Sequence, residues 1–178
     1  YVTAWPCGTP MPVVANLNPQ AGVTRPNAVH VRVGTNGRVC LYTLNETDLV
    51  VDLFAEYRPG APARYAAMSP TRLLDTRTAW SAQHQSDLSY LIAAGSVTAL
   101  QLNVTAVPGP VAGFLTAHTC VSASRPLVAN VNYAASEVSG NATLAPVGRG
   151  YACVYPMTVA DVVVAVVGHP RAVPASVA

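Results

Sequence analysis

The sequence predicts an all-β fold, a jelly roll or β-sandwich, built from an internal repeat of about 113 residues and stapled by disulfides. Three observations carry that expectation. The first is the repeat. Tyr1-Val-Thr-Ala-Trp-Pro-Cys7 returns as Phe114-Leu-Thr-Ala-His-Thr-Cys120, Asn16-Leu-Asn18 as Asn130-Val-Asn132, and Asn27-Ala28 as Asn141-Ala142. Cys40-Leu-Tyr42 returns as Cys153-Val-Tyr155, and Asp48-Leu-Val-Val51 as Asp161-Val-Val-Val164. The offset is 113 at the cysteines and aspartates and 114 at the asparagines between them. A period of this length is a small domain rather than a solenoid rung. The second observation is a series of short runs rich in Val, Leu, Tyr and Thr, separated by Gly, Pro and Asn clusters. The third is the spacing of four cysteines.

In chain order the strand candidates are 1–5, 13–17, 28–33, 38–43 and 49–54, then 72–75, 88–93, 99–107 and 114–119, and finally 128–133, 142–147, 151–155 and 161–167. Fifteen prolines interrupt any helical pattern, and no stretch sustains a 3.6-residue period. Asn36-Gly37 between two candidates reads as a tight hairpin turn, because both residues tolerate positive φ. Gly148-Arg-Gly150 stands at the matching place one residue shorter, which returns the offset to 113. Regular spacing of short strands points to a sandwich or jelly roll.

Cys7 and Cys40 are 33 apart, as are Cys120 and Cys153. Four cysteines allow three pairings, and the repeat favours one bridge within each copy. No Cys-x-x-Cys spacing suggests zinc or a redox motif. Persistent disulfides imply an oxidising location: secreted, cell-surface or virion.

Charged residues make up only 10% of the chain, and all ten basic residues are arginines. A net charge of +2 without a basic stripe argues against nucleic-acid binding. The longest apolar run, 162–168, is too short to span a bilayer and suits a buried strand. Tyr1 stands inside a strand-like run, which predicts a mature, cleaved or excerpted piece of something longer.

The two copies differ in extent. Residues 1–57 read as the later half of one copy, 58–68 as a linker, 69–169 as a full copy, and 170–178 as a tail. A half-sandwich alone would expose apolar surface and unpaired edges. The two segments are therefore expected to pack as one body, or to take missing strands from another chain or a neighbouring repeat.

The order Pro70-Thr-Arg-Leu-Leu-Asp-Thr-Arg77, Leu102-Asn-Val-Thr105, Gly113 to Cys120, Arg125 to Tyr133, Asn141-Ala142, Gly150 to Tyr155 and Asp161 to Gly168 resembles a β-rich repeat domain of secreted actinobacterial proteins. That domain accompanies peptidoglycan amidases and trypsin-like proteases, or forms arrays by itself. The resemblance covers 69–169 and 1–57, and implies a surface location with an accessory or binding role. The family keeps an acid within the last apolar strand, as at Asp52, where the second copy has Ala165.

Arg72, Asp75 and Arg77 form the densest charge cluster of the chain. Asp75 and Arg77 would share one face of a strand, and an arginine fork could grip a carboxylate or a sugar hydroxyl. The bland reading, and the favoured one, is a structural pair that pins this strand to the body. Trp80, in a polar connection with His84, Gln85 and Asp87, could stack on a sugar ring; otherwise it folds back over the sandwich end. Asn16, Asn18, Asn130 and Asn132 recur in both copies and suggest backbone hydrogen bonding at a bend or edge. The four histidines lack ligand spacing with one another, and Asp48 and Asp161 lie in no calcium loop, so neither metal nor cofactor is expected. No acidic pair, Gly-x-Ser-x-Gly, His-Glu-x-x-His or phosphate loop supports an enzyme. The leading expectation is a non-catalytic module that binds cell-envelope carbohydrate. The alternative is a structural protein, a subunit of an appendage, surface layer or phage particle, whose partners are neighbouring subunits or further copies in a homo-oligomer.

Overall fold

Alternating apolar residues build two antiparallel sheets in the second part of the chain. A computed structural model describes residues 1–78, 89–121 and 125–172, and the chain divides into two units, Tyr1–Val51 and Asp52–Ala178. Each unit is described by itself. Unit one contains β1 (Val2–Pro6) and β2 (Val39–Thr43). Unit two contains β3 (Ala63–Asp75), β4 (Tyr90–Ala93), β5 (Ala99–Pro108), β6 (Gly113–Thr119), β7 (Val131–Tyr133), β8 (Ser139–Pro146), β9 (Tyr151–Pro156) and β10 (Ala160–Ala172). Among the described residues the only helical element is a short 3₁₀ turn, Thr35–Gly37.

The eight strands of unit two form a jelly roll. One sheet has the order β3-β10-β5-β8, the other β4-β9-β6-β7. The pairs β3·β10, β4·β9, β5·β8 and β6·β7 are all antiparallel. The first four strands therefore pair with the last four in reverse order, as in a long hairpin ribbon wrapped into two layers. Inward rows follow the two-residue period of a strand. Leu100, Leu102, Val104 and Ala106 of β5 and Val162, Val164 and Val166 of β10 meet Leu115 and Ala117 of β6 and Ala152 and Val154 of β9 in one buried cluster. The core thus lies between the sheets, and β10 crosses the middle of it, bonded to β3 on one side and β5 on the other.

Unit one has local pairings like some of those in unit two. β1 pairs β2 with Val2 opposite Thr43 and Trp5 opposite Cys40; β6 pairs β9 with Leu115 opposite Pro156 and His118 opposite Cys153. Val2 bridges Leu17 as Leu115 pairs with Val131. Cys7–Cys40 and Cys120–Cys153 are the two disulfides. Side chains recur as well. Asn16 Oδ1 accepts the Ala4 amide at 2.7 Å, and Asn130 Oδ1 accepts the Ala117 amide at 2.7 Å. Thr3 Oγ1 donates to the Val14 carbonyl at 2.5 Å, and Thr116 Oγ1 to the Val128 carbonyl at 2.6 Å. Asn27 Nδ2 and Asn141 Nδ2 donate to the carbonyls of Asn16 and Asn130.

Among the described residues the expected strands 13–17, 28–33 and 49–54 do not form. The segment 49–54 corresponds by offset to β10, whose partners are β5 and β3, and among the described residues no strand pairs with it. A strand without a partner leaves its amides unpaired and does not hold its conformation. The segment 13–17 bends at Asn16, and only the Val2–Leu17 bridge remains of it. The Asn36-Gly37 turn has the positive φ expected, 57° and 71°, but it leads into β2 from an irregular segment rather than closing a hairpin. At the matching place Arg149 and Gly150, φ 53° and 85°, turn the chain from β8 in one sheet to β9 in the other. β3 also begins at Ala63, within the stretch read as linker, because β10 continues to Ala172 and pairs with it.

One pair of variants tests this difference in context. Val164 is 0% exposed and its repeat counterpart Val51 is 69% exposed. Val164→Ala removes two buried methyl groups and is expected to destabilise unit two by about 2 kcal/mol. Val51→Ala should change stability by less than about 0.5 kcal/mol. Denaturant titration of both variants checks the contrast.

Candidate functional site

The Arg72–Asp75–Arg77 cluster is assembled at the end of β3. Arg77 Nε and Nη2 donate to the Asp75 carboxylate at 2.8 and 2.7 Å, and Arg72 Nη1 donates to it at 2.7 Å. β3 ends at Asp75, so Arg77 does not share a strand face with it; it folds back from the following turn. The Arg77 side-chain hydrogen bonds hold the Asp75 carboxyl well below the usual carboxylate range, against the opposing effect of desolvation. Both arginines are about half exposed, so solvent screens the cluster. Its carboxylate is already occupied from two sides, which suits a structural role better than a gripping one.

The sign of its pH dependence follows. A depressed folded-state value means that the cluster contributes stability at neutral pH. That contribution begins to fall below about pH 4, where the unfolded carboxyl takes up a proton, and it is lost as pH drops toward the lower folded-state value. Asp75→Asn is therefore expected to lower Tm at pH 7 and to differ less and less from the parent between pH 4 and 2. A Tm difference that is independent of pH would contradict this.

The tie from this corner to the body runs through Thr76, which sequence reasoning passed over. Its backbone amide donates to the Val162 carbonyl at 3.1 Å. Its hydroxyl accepts from the Val162 amide at 2.9 Å and donates to Asp161 Oδ1 at 2.8 Å. Thr76 and Asp161 thus lock the start of β10 to the end of β3. The repeat of Asp161 at Asp48 was the available signal.

Trp80, His84, Gln85 and Asp87 lie outside the described residues. Ser89, at the far end of that connection, is fully buried and lies 3.4 Å from His118 Nε2. His118 Nδ1 lies 2.8 Å from the Thr119 carbonyl, which can only accept, so Nδ1 carries the proton of that bond. The ring is thereby fixed across the end of β6.

The feature most unlike an ordinary domain surface is the segment 48–54. Val50 is 90% exposed and Leu53 85% exposed, and Asp48 is also exposed. No backbone hydrogen bond among the described residues involves 48–54. Its counterpart, 161–167, is the central strand β10. Within unit two, Asp52, Leu53 and Phe54 line an open cleft of about 500 Å³ with Ala117, His118, Val128 and Leu144 among its other walls. Leu53 lines this cleft and remains largely exposed. The site is therefore an apolar strand sequence held out of any sheet, with an acid at its start.

Fold and site together define a disulfide-stapled jelly-roll module preceded in sequence by a unit with a two-stranded, disulfide-stapled sheet. No protein-family model, curated protein or solved structure matches the chain. Among the described residues, no helix is long and apolar enough to cross a membrane.

Proposed function

We propose that the chain is a non-catalytic extracellular module that acts as a building block of an assembly, associating with neighbouring protein subunits through β-strand contacts. The observation that carries this reading is the exposed run Leu49–Phe54. An unpaired apolar strand invites pairing, and soluble proteins usually blunt such edges with charge, proline or a cover. Here none of 49–51, 53 or 54 carries a charge, and Asp52 alone interrupts them. The two disulfides support an oxidising, extracellular location.

Binding of cell-envelope carbohydrate, the leading expectation from sequence, rests on Trp80 and its polar neighbours. The jelly roll hosts lectins and capsid subunits alike, so the exposed Leu49–Phe54 run, not the fold, supports the preference for assembly. Sedimentation and negative-stain imaging of the purified chain, with and without actinobacterial envelope polysaccharide, separate the two. Concentration-dependent filaments or particles without polysaccharide are expected. Discrete monomers that pellet with the polysaccharide would replace assembly by carbohydrate binding.

A further inference from the structure

We infer that Asp48–Phe54 inserts as an added strand between the first and third strands of a β3–β5 half of another module. The internal counterpart defines the geometry. In unit two, Val164 stands between Leu74 of β3 and Val104 of β5, and Val166 between Thr71 and Leu102. By offset, Val51 and Leu53 would take these two places, and Leu49 that of Val162. Leu49, Val51 and Leu53 would then face a core, while Asp52 would stand at the position of Ala165, which is less deeply covered than Val164.

Charge complementarity identifies the partner further. Asp161, the counterpart of Asp48, accepts a hydrogen bond from Thr76 and adds to the field that favours the charged form of Arg77. A partner ending its first strand in Asp-Thr-Arg would bring the same hydroxyl and the same positive charge to Asp48. That partner is a segment with the pattern of residues 63–108: three strands, the first ending at the aspartate of an Asp-Thr-Arg run. Main-chain ladders on both sides would supply affinity, and the apolar row with the acid would supply register, as in other strand-addition complexes.

This inference names the partner that the assembly reading needs and rests on it for its biological setting, yet the two fail separately. The test joins a second copy of residues 58–113 directly ahead of Tyr1, in the order that 58–113 already has before Phe114. Hydrogen exchange is then read at the amides of Leu49–Leu53. The expected result is slowing by roughly a thousandfold or more relative to the unextended chain, as for a ladder inside a folded unit. Val51→Asp within the extended chain should abolish the slowing while leaving the amides of Val162–Val166 protected. Unchanged exchange at 49–53 in the extended chain would overturn the inference, as would slowing that survives Val51→Asp. Sedimentation of the unextended chain is read independently. If it stays monomeric while the extension protects 49–53, assembly fails and strand insertion stands.

Discussion

Replacing Cys7 and Cys40 together by serine is expected to melt unit one while leaving unit two folded. The two disulfides close loops of equal length, 33 residues apart in each case, and each should contribute about 3.8 kcal/mol in the chain-entropy description. The consequences nevertheless differ, because the elements they join differ. β1·β2 is a two-stranded ribbon, and such ribbons are marginal alone in water. The Cys120–Cys153 bridge instead joins the end of β6 to β9 inside a two-layer structure with its own core. Hydrogen exchange should therefore show the β1 and β2 amides fully open in the first variant. The matching Cys120→Ser, Cys153→Ser variant should keep its ladders at a Tm lower by on the order of 10 °C. Equal loss of structure in both units would contradict the account.

Asn130→Ala is expected to cost about 3 kcal/mol, as much as a large core truncation. Asn130 is buried, and its side chain accepts from the Ala117 amide at 2.7 Å and donates to Thr143 Oγ1 at 2.9 Å. Its backbone carbonyl holds Asn141 Nδ2 at 2.8 Å. Truncation leaves a buried amide and a buried hydroxyl each short of a partner, at about 1–3 kcal/mol per group. The effect should be confined to unit two. Asn16→Ala removes the equivalent bond to Ala4, but Asn16 is half-buried and water can replace the lost acceptor, so about 1 kcal/mol is expected. Thermal unfolding followed separately in each unit by exchange checks both values.

These asparagines also show what the sequence made legible. Their recurrence points to backbone hydrogen bonding, and the bonds of Asn16 and Asn130 are of that kind. The cysteine spacing likewise pointed to the bridges that form, and the short Val-, Leu- and Tyr-rich runs to an all-β jelly roll or sandwich. Strand identity was less legible. Leu49–Phe54 has the composition of a strand, and so has Val162–Val167, yet only the second is one. Propensity is local, whereas a ladder needs a partner at a distance, and the partners of β10 begin at Ala63 and Ala99. Thr76 escaped notice for a related reason. Its role depends on Asp161 and Val162, 85 and 86 residues away. Asp75 and Arg77 would share a strand face only if β3 ran on to Arg77; Thr76 bonds to Val162 and the chain turns instead.

The central claim is that two similar apolar runs of one chain occupy two states, 161–167 as a paired strand and 49–54 outside any ladder. Residue-resolved native-state hydrogen exchange on the unaltered protein tests it most directly. The account predicts that the amides of Leu49–Leu53 exchange at rates near those of an unstructured peptide, while those of Val162–Val166 open only with global unfolding of unit two. Comparable protection of the two segments would contradict it.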